Sequence, residues 1–196
     1  MKEFWNERYS AEEYIYGLEP NDFLKNELSN IQAGNILLPC EGEGRNAVFC
    51  AKNDWKVSAF DYSEVAVEKG IKLAKSMNLE IDYIHSDWQS YNNDNKFDVI
   101  GIVFAHFSPN DRIEFHKKMM NFLKPGGILM AEYFHKNQIN YNSGGPRNID
   151  MLYTIEDLKQ DFENYEIIKL EHLSRKLFEG PHHHGVAETV QVVIKK

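Results

Sequence analysis

Short apolar runs alternate with stretches of helical periodicity along most of the chain, and this rhythm predicts an α/β architecture. Residues 36–38, 57–60, 81–84, 99–104 and 128–134 are rich in Val, Ile and Phe. They lack a polar face, as parallel strands covered on both sides do. Between them, Ser63 is placed to cap a helix whose Val67, Ile71, Ala74 and Met77 share a face. Pro109 opens another helix, with Ile113, Met120 and Leu123 turned inward. Lys124-Pro125-Gly126-Gly127 ends that helix and leads into the fifth strand, because Pro cannot continue a helix and Gly tolerates positive φ. Each strand–helix–strand unit is expected to cross over right-handed.

The last third follows a different pattern. After the loop 142–147, Thr154 caps a short helix, and strands over 166–173 and 188–194 follow with no helix between them. They must pair antiparallel. The expectation is a Rossmann-like three-layer sandwich, a seven-stranded, mostly parallel sheet finished by an antiparallel C-terminal hairpin. One domain is expected over 1–196, with a helical lid segment over 1–30 and the core over 35–196.

Composition narrows the partners. With 22 Lys plus Arg against 30 acids and a formal charge of −8, neither a nucleic-acid backbone nor an anionic membrane is an expected partner. The chain shows no signal peptide and no long uncharged apolar segment, so a cytoplasmic protein is expected, as a monomer or weak homodimer. Cys40 and Cys50 fall on a strand end and an early helix and are expected to be reduced.

The chemistry gathers where strands end. Gly42 and Gly44 follow the first strand and open a helix, where absent side chains let a ligand lie against the main chain. Asp61 ends the second strand, at the spacing at which doubly wound sheets hold a ribose hydroxyl pair. The run Gly42-x-Gly44-x-x-Ala47 with Asp61 also satisfies the dinucleotide fingerprint, which keeps an NAD-dependent oxidoreductase open.

Five segments carry a resemblance to the class I S-adenosylmethionine-dependent methyltransferases. They are Glu41-Gly42-Glu43-Gly44-Arg45-Asn46-Ala47, Asp61-Tyr62-Ser63, Ser86-Asp87-Trp88, Phe97-Asp98-Val99-Ile100 and Phe122-Leu123-Lys124-Pro125-Gly126-Gly127. Phe4-Trp5-Asn6-Glu7-Arg8-Tyr9, Tyr16-Gly17, Gly144-Gly145-Pro146-Arg147 and the His-rich hairpin resemble the small bacterial subgroup of tellurite-resistance and thiopurine-type S-methyltransferases.

The resemblance implies S-adenosyl-L-methionine as cofactor. Its contacts would be Gly42, Gly44, Arg45, Asn46 and Tyr62, with Asp61 on the ribose hydroxyls, Asp87 on the adenine amine and Trp88 over the ring. The family's acid at the place of Leu38 and glycine at that of Cys40 are missing, and Glu41 would supply the acid from a shifted position.

The acceptor is expected to be a small molecule, a thiol or a selenium or tellurium oxyanion. His106, at the end of the fourth strand, reads either as a base or as a half-buried imidazole satisfying a carbonyl. Arg8 and Arg147 offer guanidinium groups for an anion, with surface ion pairing as the plainer role. Tyr16, Arg175, His183 and His184 join them by resemblance, His106, Arg147 and His183 as the catalytic set. Consecutive strand residues face opposite ways, so His182, His183 and His184 are not expected to hold a metal. A protein that binds the cofactor without chemistry is the third reading.

Overall fold

The computed structural model describes residues 2–196. The parallel strands are β1 (Asn35–Pro39), β2 (Lys56–Asp61), β3 (Asp82–His85), β4 (Phe97–Val103) and β5 (Leu123–Phe134), and the C-terminal pair is β6 (Glu166–Phe178) and β7 (His184–Lys195). They form one seven-stranded sheet in the order β3-β2-β1-β4-β5-β7-β6. β7 runs antiparallel between β5 and β6, from Ile128 opposite Lys195 to Phe134 opposite Thr189 on the β5 side. A dinucleotide-binding doubly wound sheet continues in parallel on that side. Here the inserted antiparallel strand breaks that pattern.

The helices are α1 (Lys2–Tyr9), α2 (Asp22–Leu28), α3 (Arg45–Lys52), α4 (Glu64–Ser76), α5 (Pro109–Phe122) and α6 (Ile155–Asp161). Strand alternation sorts them into layers. Leu37, Phe60, Ile100 and Leu129 join Phe115 and Met119 of α5 and Leu158 of α6 in one core. Their neighbours Ile36, Leu38, Ala59, Val99 and Met130 join Leu24 of α2, Ala47 and Cys50 of α3 and Val67 of α4 in the other. The sheet is the middle of three layers. Truncating a side chain as closed in as Leu37 or Leu38, both 0% exposed, costs ~2–5 kcal/mol in such cores.

The local signals act where expected. Ser63 Oγ accepts from Ala66 N at the start of α4, and Thr154 with Asp157 completes a capping box on α6. Four expectations change. Met77 lies just past α4 and is exposed. The inward face of α5 is Arg112, Phe115, His116, Met119 and Met120, with Ile113 only half-buried. Arg112 and His116 tolerate burial because both meet Asp161 of α6, at 2.7 Å each. The turn 124–127 lies inside β5, because Leu123 already pairs with Phe97 and the main chain of Gly126 and Gly127 bonds to Lys196. Strands β6 and β7 are longer than periodicity suggested, so His184 belongs to a strand and only 179–183 form the turn.

Candidate active site

In open α/β sheets the ligand crevice lies beyond the carboxyl ends of the strands, where chain order reverses. Here that point lies between β1 and β4. Cys40 leaves β1 at φ +54, and Gly42 and Gly44 follow at φ +67 and +88, Gly44 as the N-cap of α3. A Cβ on Gly44 would lie 2.8 Å from Gly70 Cα of α4, so this turn requires glycine for its packing as well as its φ. Asp61 stands beside it at the end of β2, accepting from Gly42 N at 2.9 Å and Ser63 N at 2.8 Å. Burial raises its carboxyl to about 6, against the pull of those two N–H bonds. Asp87, past β3, accepts from Ser90 N through Oδ1, and that bond lowers its pKa. Trp88 packs edge-on against Phe107 and Phe115.

Two acceptor-only carboxylates, two glycines and an indole thus line one carboxyl edge, an acceptor set that suits a nucleoside with vicinal hydroxyls and an exocyclic amine. Glu41 does something else. Its carboxylate caps α3, accepting from Ala47 N at 2.8 Å and Asn46 Nδ2 at 3.2 Å, and burial raises its pKa to about 7. Arg45 and Asn46 turn toward the N-terminal segment, Arg45 donating to the carbonyls of Tyr16 and Glu19 and Asn46 accepting from Asn21 N. Tyr62 is exposed.

The acceptor candidates divide. Arg8 donates to Tyr16 Oη at 3.2 Å and lies over the rings of Phe4 and Trp5. Among the described residues Arg8 has no carboxylate partner. Tyr16 packs on His183, 4.4 Å between ring centres, and His183 also meets Phe104 and Phe134 edge-on. His183 Nδ1 is buried without a hydrogen bond, 3.8 Å from Glu179 Oε2. Burial lowers its pKa. Arg8, Tyr16 and His183 therefore form one wall.

The others are used elsewhere. His106 has both ring nitrogens on the main chain, Nδ1 2.6 Å from Met151 O and Nε2 accepting from Phe134 N at 3.2 Å. Donation from Nδ1 and acceptance at Nε2 make it a neutral imidazole, and burial pushes its pKa down to about 4. Arg175 makes a bidentate pair with Glu132 at 2.8 and 2.7 Å and a third bond to Glu179. Arg147 is exposed and folds back on Tyr141 O and Asn142 of its own loop. His184 is exposed against Phe178. For Arg147, Arg175 and His184 the expected convergence on one acceptor site gives way to these contacts.

Sequence reasoning overlooked Glu132 and Glu179. Glu132 is fully buried inside the apolar run of β5 and takes bonds from Arg175, Asn21 and Gln191. A lone acid in such a run was the available signal, since a strand closed on both faces admits a charge only with partners.

The sheet order, with helices on both faces and a glycine turn between β1 and α3, is that of a Rossmann-like fold. Residues 36–127 match the family described as Methyltransferase domain. The chain is 32% identical over 124 residues to probable thiol methyltransferase 2 of Arabidopsis thaliana, covering 61% of this chain and 54% of the relative. It thus spans about half the length of that curated relative. Among solved structures, one from work on the conversion of a disulfide bond into a thioacetal group during echinomycin biosynthesis superposes with a TM-score of 0.83 at 12% identity, over 100% of this chain and 91% of the other. TehB from Haemophilus influenzae superposes with a TM-score of 0.74 at 15% identity, over 100% of this chain and 66% of that one. No helix among the described residues is long and apolar enough to cross a membrane.

Proposed function

We propose that the protein is an S-adenosylmethionine-dependent methyltransferase for a small, soft, anionic acceptor of the thiol or chalcogen-oxyanion class. The observation that carries this reading is the carboxyl-edge set of Gly42, Gly44, Asp61 and Asp87 on a sheet whose β7 is antiparallel. When bound, the cofactor supplies a sulfonium methyl group ready for in-line transfer. Asp61 would accept from its ribose hydroxyls and Asp87 from its adenine amine, with Trp88 beside the ring.

Transfer of this kind depends on alignment and exclusion of water more than on proton movement. The chain fits that demand. The imidazole at the end of β4 is committed to two main-chain bonds, so His106 anchors the loop and takes no proton from the acceptor. A nucleophile that arrives ionised needs no such base, whereas an alcohol does. Arg8, without a carboxylate partner among the described residues, supplies a guanidinium to hold it, with Tyr16 and His183 beside it. The thiol methyltransferase name of one relative and the TehB fold likeness support this acceptor class.

Calorimetric titration with S-adenosylmethionine, S-adenosylhomocysteine and NAD, followed by assays with hydrosulfide, selenite and tellurite, tests the reading. Binding of both adenosyl sulfur compounds without NAD, with turnover of one acceptor, is expected. Binding of NAD alone overturns it.

A further inference from the structure

Arg45 opens α3 directly after Gly44, a place that suggests a hand on the cofactor, yet its side chain is 8% exposed and fully engaged elsewhere. Its guanidinium donates to Tyr16 O at 3.2 Å, Glu19 O at 3.3 Å and Glu179 Oε2 at 2.6 Å. Its neighbours behave alike. Glu43 accepts from Ile15 N at 2.7 Å, and Asn46 accepts from Asn21 N at 2.9 Å. Three side chains of the glycine turn therefore grip the main chain of residues 15–21.

That grip bears on the acceptor wall from both sides. Residues 15–21 carry Tyr16, and Glu179 begins the hairpin turn that carries His183, with Glu179 N donating to His183 O at 2.9 Å. The two segments touch so closely that a Cβ on Gly17 would lie 3.3 Å from Gly180 N. Arg45 is the one residue of the turn that bonds to both. Glu179 is also held by Arg175 at 2.8 Å and by Asn21 at 3.1 Å, so loss of Arg45 leaves that carboxylate with a cation and an amide.

We propose that Arg45 is a positioning residue that assembles the acceptor wall from the cofactor turn, setting Tyr16 against His183, and does not itself bind the cofactor. The proposal rests on the methyltransferase reading for its kinetic consequence alone. It explains why an arginine serves here: a lysine has one nitrogen, whereas the planar fork spans two carbonyls on one side and a carboxylate on the other.

The test compares wild type with Arg45→Lys and Arg45→Met. Calorimetry with S-adenosylhomocysteine is expected to give affinities within about twofold of wild type, while acceptor KM rises about tenfold or more with a smaller change in kcat. Arg45→Lys should recover part of the loss. Hydrogen exchange on the ligand-free proteins should show residues 15–21 and 179–183 losing protection together. Loss of S-adenosylhomocysteine binding with unchanged acceptor KM overturns the proposal and makes Arg45 a cofactor ligand. Unchanged exchange in both segments overturns it as well. That readout stands even if wild type binds no adenosyl compound, the result that sinks the functional reading instead. Should the Arg45 variants fail to fold, Glu179→Gln, which keeps the shape and removes the charge, must show the same KM shift and exchange pattern, and its absence counts against the proposal.

Discussion

Around β1 and β2, polar groups are confined to the turns and bond to nearby main chain: Asp61 to Gly42 N and Ser63 N, Glu41 to Ala47 N. Around β5 to β7, charge sits inside the sheet layer itself, with Glu132, Arg175, Glu179 and Arg45 joined in one buried chain of ion pairs. The first arrangement leaves carboxylates with short-range partners that a ligand can share. The second joins segments distant in sequence, since Glu132 and Arg175, or Arg45 and Glu179, meet only in the folded chain. Binding capacity and wall-building are thus divided between the two regions, with the turn after Gly44 as their junction.

The comparison breaks most sharply at Glu132. Replacing it with Ala takes the bidentate partner from Arg175 and the acceptor from the Gln191 amide, leaving the Arg175 guanidinium and the Asn21 amide N–H donating to Glu179 alone, and removing one partner of a buried pair costs up to ~3–5 kcal/mol. Chemical denaturation should show that loss. Asp61→Ala, from the local region, leaves the Gly42 and Ser63 N–H groups without that acceptor and should cost less, ~1–3 kcal/mol.

Next comes pH. His106 binds no proton in the native state until about pH 4, whereas the unfolded chain takes one near pH 6.5. Native stability therefore rises as pH climbs between those values, by roughly 3 kcal/mol from this group. Asp61 and Glu41 act in the opposite sense. Their native pKa values, about 6 and about 7, exceed the ordinary carboxylate values, so their contribution is present at low pH and is lost as pH rises through those values. Denaturation of His106→Asn across pH 4 to 7 should lose the rising component and expose the falling one. An unchanged profile would show that His106 does not carry it.

Asp61→Ala should weaken S-adenosylhomocysteine binding by ~1–3 kcal/mol in calorimetry, the cost of leaving buried donors unpaired. The smallest effect belongs to Arg147→Ala. An exposed side chain bonded within its own loop changes stability by less than about 0.5 kcal/mol, and acceptor KM should stay at the wild-type value. A raised KM would return Arg147 to the acceptor site.

Much of this was legible along the chain. The apolar runs placed the seven strands within a few residues apart from the start of β5 and the lengths of β6 and β7, and Ser63, Pro109 and Thr154 marked helix starts, because each signal acts within one turn of backbone. The glycines and strand-end acids were readable for the same reason. The inner face of α5 was not, because Arg112 and His116 become buried only when Asp161 of α6 docks beside them.

The sequence by itself determined an α/β sheet with an antiparallel ending and a glycine turn facing Asp61, since periodicity and turn chemistry are local properties. Only the tertiary structure decided which histidines and arginines are free. His106 is tied to residues 28 and 45 positions away, Arg175 to one 43 away, and Arg45 to one 134 away. Arg8 shows no carboxylate among the described residues. A titratable side chain's role depends on which partners reach it, and for these groups the partners arrive from distant strands.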